Sequence, residues 1–457
     1  MNTLLKTTIH IYIWTGVFLF AALFPYCDDT FNHYNLINIL LFVSYVITLW
    51  CAIGKNEEYY SYGRLALTVF FYSLIFVFLY LDLSYYYTGN TFYWDYTDPY
   101  AYARMDQKIV DNEIAFFDMP DYIYENNNWE FDDWGASMAQ TLFLNLIQSR
   151  YFLFVSQTFV GSVGAMLMFS LGKKIMQIDY AYMAALSYSI SSYSIYYYSS
   201  YRKEIFMVFI VIVSFWCFYQ YLSGRSKAFL ILTAMSVTAM FFFRPALVFL
   251  MVAGMFSYFI MGIWNKGYKL PMIFVTLVVL GGSFTFLYSA ANSFSNDLAN
   301  SENYVDTSTF GIIVSTIGVL IGPFPQLLQL GVIKMSQLPL YGPGLLLKFI
   351  LFLAFWNGFW ICLKNKDATV LPLYVFTILE MLALAVVNDG LELRKAMPHI
   401  STFHIAAFWF ISKYDERAAQ EDSALALYPL PKAKPEIVLF GIAVFVFVST
   451  FAWDTMR

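Results

Sequence analysis

The chain has 457 residues, of which 60% are apolar, 21% aromatic and only 12% charged, and its net charge is −5. Soluble domains carry about 25% charged residues, so this composition excludes a disordered chain, a nucleic-acid binder and a disulfide-rich secreted scaffold. It predicts an all-α, polytopic integral membrane protein with about 12–13 transmembrane helices.

Along the chain, apolar runs of spanning length fall at 8–26, 36–53, 65–84, 151–171, 180–199, 205–222, 228–243, 246–264, 270–290, 344–362, 370–388, 398–412 and 436–453. The first has no small-residue cleavage site before Cys27 and reads as a retained helix. The stretch 311–332 is also apolar, but Gly322-Pro323-Phe324-Pro325 interrupts it, as in a re-entrant or interfacial segment. Three regions result: a two-helix N-terminal segment (1–64), a transmembrane core (65–412), and a linker with a last helix (413–457). Cys27, Cys51, Cys217 and Cys362 form no CxxC pair, and no P-loop, GxGxxG or HExxH occurs. No cofactor is expected. The acid density admits a divalent metal, but no ligand spacing supports one.

Orientation follows from the basic residues. With the N-terminus inside, the inner turns are 54–64 (Lys55, Arg64), 172–179 (Lys173, Lys174), 223–227 (Arg225, Lys227) and 265–269 (Lys266, Lys269). If 311–332 does not cross, 363–368 (Lys364, Lys366) and 413–434 are inside as well.

The outer side then carries two long loops, 85–150 after the third helix and 291–343. Residues 85–134 hold eleven acids against Arg104 and Lys108, a local charge of −9. The richness of this stretch in Tyr and Trp predicts an ordered lid, and loops this long are usually functional. Within it, 137–149 reads as an amphipathic helix on the membrane surface. Trp94, Trp129 and Trp134 are candidates to stack on sugar rings, or else pack the loop and its interfacial belt.

Charges beside spans are costly and therefore informative. Arg202-Lys203-Glu204, Arg244-Pro245 and Arg394-Lys395 all fall on the predicted outer side, against the positive-inside tendency. An anionic ligand such as phosphate would explain them; pairing with loop acids or snorkelling to headgroups is the alternative. Asp98 and Asp95, soon after the third span, are the best candidates for a general base on a sugar hydroxyl, with Asp106 two helical turns beyond Asp98. Asp28 and Asp29 form the other outer acid pair near a helix end. Within spans, Glu380 is the clear mid-span acid, and Asp82 lies near an outer end.

Three stretches carry a resemblance: Asp98-Pro-Tyr-Ala-Tyr102-Ala-Arg-Met, Ser199-Ser200-Tyr201-Arg202-Lys203-Glu204 and Glu392-Leu-Arg394-Lys395-Ala-Met-Pro398. With the span pattern they resemble the GT-C superfamily of membrane glycosyltransferases, over roughly residues 65–412. The resemblance implies catalysis by an outer-loop aspartate, placed on Asp98 with Asp95 beside it. It also implies lipid-phosphate binding by Arg202, Lys203 and Arg394, with Arg244, Lys395 and Tyr102 as further substrate-binding candidates. The partners it implies are a polyprenyl-phosphate or polyprenyl-pyrophosphate sugar, a glycan or lipid-linked acceptor, and membrane lipids, at a bacterial inner membrane with the site facing outward. In that family the large loop usually follows the first span, whereas here it follows the third. Either two helices were added in front or the catalytic acid is Asp28 or Asp29. Polysaccharide polymerases of the O-antigen type share the same outline, and a lipid-linked oligosaccharide transporter is the reading from another class. A transporter predicts internal repeats, and none is evident.

Overall fold

The computed structural model describes residues 60–91, 98–127, 129, 131–265, 338–386 and 393–418. The described residues are all-helical. In chain order the helices are α1 (Tyr62–Thr88), α2 (Asp98–Asp111), α3 (Met119–Asn127), α4 (Phe131–Leu146), α5 (Arg150–Gly172), α6 (Ile178–Ser189), α7 (Ser192–Tyr198), α8 (Glu204–Leu222), α9 (Ala228–Ala239) with a 3-10 turn at Met240–Phe242, α10 (Pro245–Asn265), α11 (Leu338–Asn365), α12 (Leu371–Val386) and α13 (Leu393–Ala418). Four of them, α1, α5, α8 and α10, are long and apolar enough to cross a membrane. The expected spans 8–26, 36–53, 270–290 and 436–453, the segment 311–332 and the acids Asp28, Asp29 and Asp95 lie outside the described residues.

Local chemistry explains both ends of α1 and the break between α6 and α7. Ser61 caps α1 by accepting from the Arg64 amide, and Gly89 closes it with φ 70°, a left-handed turn that a β-carbon disfavours. The run 180–199, expected as one span, is instead two helices, α6 and α7. Its serines break it. Ser191 and Ser194 both donate their hydroxyls to the Tyr188 carbonyl, at 2.6 and 2.8 Å, so the side chains take a bond that the helix ladder would otherwise use. Residues 180–202 are buried throughout, so this stretch is an interior element surrounded by other helices.

Helix α13 is the hub. It is buried from Ala396 to Ser412 and packs against α6, α8, α11 and α12. In a bilayer, lipid tails are as apolar as leucine, so packing and hydrogen bonds must hold such a bundle together. They are present here. Phe355 stacks on Phe403 with centroids 4.8 Å apart. Tyr374 donates to the Ala406 carbonyl at 2.9 Å, and the Thr377 and Thr402 hydroxyls meet at 2.7 Å.

The basic turns share one end of the bundle. Lys173 sits 4.2 Å over the Tyr62 ring, and Lys174 donates to Ser223 at 2.7 Å. The Gln177 amide donates to Ser412 at 3.2 Å, and Asn265 donates to the Lys366 carbonyl at 3.2 Å. The turns at 172–179, 223–227 and 363–368 therefore lie on the same face as the start of α1 and the ends of α10 and α13. The starts of α8, α10 and α13 lie at the opposite end.

Over that opposite end sits the segment expected as an ordered lid. Helices α2, α3 and α4 share a small core of Met105, Ile109, Met119 and Ile123, sealed by Trp129, Trp134 and Met138. The helix expected at 137–149 starts earlier, at Phe131, and ends at Leu146. It buries Ala136, Ser137, Gln140, Thr141 and Leu144. At Gly135 a β-carbon would fall 2.6 Å from the Phe242 carbonyl oxygen, so only glycine permits α4 to lie this close to the turn before Arg244.

Candidate functional site

The lid meets the bundle at a knot of charge. Asp98 opens α2 and is exposed. One turn on, Tyr102 is buried with its ring edge-on to Trp129 at 5.1 Å. Its hydroxyl donates to Asp133 on α4 at 2.7 Å. The Lys203 ammonium reaches the same carboxylate oxygen from the turn before α8. Beside it, Arg202 is buried, and its carbonyl accepts from Gln140 of α4 at 3.4 Å. Arg244, half-buried ahead of α10, adds its charge to the same region.

These contacts set the electrostatics. Burial alone would raise the Asp133 carboxyl. Lys203, the Tyr102 hydroxyl and Arg244 more than offset it and hold Asp133 below the usual carboxylate range. Burial, followed by the negative fields of Asp133, Glu204 and Asp98, pushes the Tyr102 phenol well up, so it is a lasting hydrogen-bond donor. The result is an ionised carboxylate that fixes one phenol and one ammonium, with two arginines nearby.

Several candidates from the sequence come together here: Asp98, Tyr102, Lys203 and Arg244, with Arg202 alongside. Asp106 does not join them. It lies fully buried between α2 and α4, and neither carboxyl oxygen finds a hydrogen-bond partner among the described residues. Burial pushes its carboxyl well above the usual range, against the opposing pull of Ser137 and Arg150. Arg394 and Lys395 lie in the first turn of α13, at the same end of the bundle as the lid. Asp95 is outside the described residues.

Asp133 was hidden among eleven loop acids. The only sequence signal for it is an acid pair between tryptophans, Trp129-Glu-Phe-Asp-Asp133-Trp134.

A second constellation lies deeper. Lys348 of α11 and His399 of α13 approach to 3.4 Å, and Glu380 of α12 lies 3.7 Å from the other nitrogen of the same imidazole. All three are buried, at 3%, 0% and 2% exposure. Glu380 was visible as a mid-span acid. Lys348 and His399 were missed, although each is an ionisable residue inside an apolar run. Arg244 exerts its field on Glu380 as well as on Asp133. Nearby, the His404 imidazole bridges the Ser187 hydroxyl at 3.0 Å and the Tyr193 hydroxyl at 2.7 Å.

Among the described residues no three His, Cys, Asp or Glu side chains gather as a metal centre would require. The sequence matches no protein-family model, and a comparison with curated proteins finds no match.

Proposed function

We propose that the protein is a membrane glycosyltransferase acting on a polyprenyl-phosphate or polyprenyl-pyrophosphate sugar at the outer face of a bacterial inner membrane, in cell-surface glycan assembly. One observation carries the reading: Asp133 joins Tyr102 and Lys203 at the junction of lid and bundle, with Arg202, Arg244 and Asp98 around it. In this reading the donor tail lies in the bilayer beside the bundle, and its phosphate meets Arg202, Lys203 and Arg244. Asp133 holds Lys203 in place. The acceptor hydroxyl attacks the anomeric carbon and gives its proton to Asp98. The bond from that carbon to the phosphate oxygen breaks, and the cations take up the charge left on the phosphate. Trp129, packed on Tyr102, offers an aromatic face to a sugar ring.

Asp98→Asn is expected to abolish sugar transfer from a synthetic polyprenyl-phosphate donor while leaving the gel-filtration profile of the purified protein unchanged. Full activity in that variant would remove Asp98 from the mechanism. A polymerase joining lipid-linked repeat units uses the same chemistry, and its products would differ by whole repeat units. The buried Lys348, His399 and Glu380 favour a second reading, a transporter of lipid-linked oligosaccharide, because ionisable groups at that depth mark substrate and proton pathways. Reconstituted vesicles separate the two: a transporter moves a labelled lipid-linked glycan between leaflets and leaves its glycosidic bonds intact.

A further inference from the structure

We propose that Lys348, His399 and Glu380 form a proton relay, in which the His399 imidazole carries a single proton between the lysine amine and the glutamate carboxylate. The geometry stands apart from the transferase reading. The two imidazole nitrogens face different partners: Nε2 is 3.4 Å from the Lys348 ammonium, and Nδ1 is 3.7 Å from Glu380 Oε2. The 3.4 Å spacing is a long hydrogen bond, and the 3.7 Å spacing is a gap: His399 Nδ1 and both Glu380 oxygens have no hydrogen-bond partner among the described residues, so the transfer needs a side-chain rotation that closes it.

The surrounding packing fixes this arrangement. Thr377 lies one turn from Glu380 and Thr402 one turn from His399, and their hydroxyls meet at 2.7 Å. That bond locks α12 to α13 beside the relay. The stack of Phe355 on Phe403 ties α11 to α13, and the Lys348 ammonium lies 5.8 Å over the Phe403 ring. Among the described residues, the charged or titratable groups coupled to the relay from outside are Arg244, ahead of α10, and His404 of α13.

Charge counting selects the states. Three buried ionised groups would leave one uncompensated charge in the bundle. Three arrangements avoid it: one, imidazolium between a free amine and a carboxylate, is the intermediate, and the other two leave the imidazole neutral. In one of these two, Lys348 is ammonium, Glu380 is carboxylate and neutral His399 carries its proton on Nδ1. In the other, Lys348 is the free amine, Glu380 is the carboxylic acid and neutral His399 carries its proton on Nε2. They interconvert when one N–H bond of Lys348 breaks as a bond to Nε2 forms, and the Nδ1–H bond breaks as a bond to Glu380 forms. No proton is gained or lost overall, and the imidazole changes tautomer. Glu380 and His399 each lie six residues from the lid-side ends of α12 and α13, about 9 Å at helical rise. The relay therefore lies nearer the lid-side ends of both helices than their other ends.

Infrared difference spectra of the full-length protein in nanodiscs, recorded across a temperature change at fixed pH, test this, because two states with equal numbers of bound protons exchange without responding to pH. The expected result is a carboxylic-acid band and a histidine tautomer band that rise and fall together. Glu380→Gln should delete the first, His399→Phe the second, and Lys348→Met should abolish the tautomer change by removing the donor to Nε2. A carboxyl band of Glu380 that changes with temperature while the imidazole bands stay fixed overturns the relay, as does a carboxyl band that still moves together with the tautomer band in Glu380→Gln. Should Glu380→Gln fail to fold, Thr377→Val serves: it keeps every titratable group, loosens the α12–α13 lock and should uncouple the two bands, so that they no longer change together with temperature. None of these readouts depends on sugar transfer.

Discussion

Replacing Asp106 by asparagine should make the lid gain stability relative to the wild type as pH rises. Asp106 is fully buried between α2 and α4, without a hydrogen-bond partner among the described residues, and burial raises its carboxyl well above the usual range. The folded lid thus binds this proton more tightly than the open lid does. Its stability contribution is complete below the unfolded value of about 3.9, and is lost as pH rises through the folded value. Over any interval in which the open lid is ionised and the closed lid holds the proton, each pH unit costs about 1.4 kcal/mol, or about tenfold in the opening constant. Asparagine has the same shape and no titration. Its amide brings a fixed, pH-independent offset of about 1–3 kcal/mol if it finds no partner, so the slope is diagnostic and the offset is not. Hydrogen exchange of the α2 backbone, wild type against Asp106→Asn at each pH from about 5 to about 8, cancels the intrinsic pH dependence of exchange. The protection ratio should grow in favour of the variant by up to about tenfold per pH unit. A ratio that stays constant across the range would show that Asp106 keeps one protonation state throughout, and would refute the reasoning.

Lys203→Met should loosen the seating of the lid by about 1 kcal/mol, the modest value of a pair whose carboxylate side chain is 35% exposed. Limited proteolysis within 98–146 would report it, and a double-mutant cycle with Asp133→Asn should give a coupling of similar size; additive effects would deny the pair any role in seating the lid. Because Asp133 is held below its usual range, this contribution is present at and above the unfolded value and is lost as pH falls through the lower folded value, so the lid should open in strong acid. Gly344→Ala should destabilise the bundle by about 1–3 kcal/mol, since its β-carbon would strike the Tyr193 ring and lie 3.2 Å from Ser192 Oγ, against the bond from Tyr193 to His404. Thermal unfolding in detergent should show the loss, and an unchanged midpoint would mean that α11 is free to shift away from α7.

The helices were legible where composition decides them. α1, α5, α8 and α10 fall within a few residues of the apolar runs, because twenty apolar residues in sequence have few other solutions. The break between α6 and α7 was not legible, since hydropathy does not register that Ser191 and Ser194 bond back to the Tyr188 carbonyl. At the site, Lys203, Tyr102, Arg244 and Asp98 could be singled out because cations on the wrong side of a membrane and an acid at a helix start are locally odd. Asp133 could not, because its role depends on a lysine 70 residues away. The same holds for Lys348 and His399, whose partnership spans 51 residues and two helices.

The placement of polarity carries the strongest argument about function. A bundle that served only to anchor the lid would gain nothing from ionisable groups in its interior, where each one costs stability unless it is paired. Here the interior helix α13 carries His399, Thr402, His404 and Ser412 on a fully buried stretch, and the serine- and tyrosine-rich α6–α7 segment packs within the same bundle. These polar side chains lie beneath the lid and not along the surface that lipid would cover. Arg244 links the two levels by acting on Asp133 above and Glu380 below. An anion that draws the Arg244 guanidinium under the lid would leave Glu380 with less of its field, so anion binding under the lid and protonation of Glu380 should bias each other. Measuring the pH dependence of donor binding in the wild type and in Glu380→Gln checks this: the variant should lose part of that dependence, and identical profiles would show that the two constellations act separately.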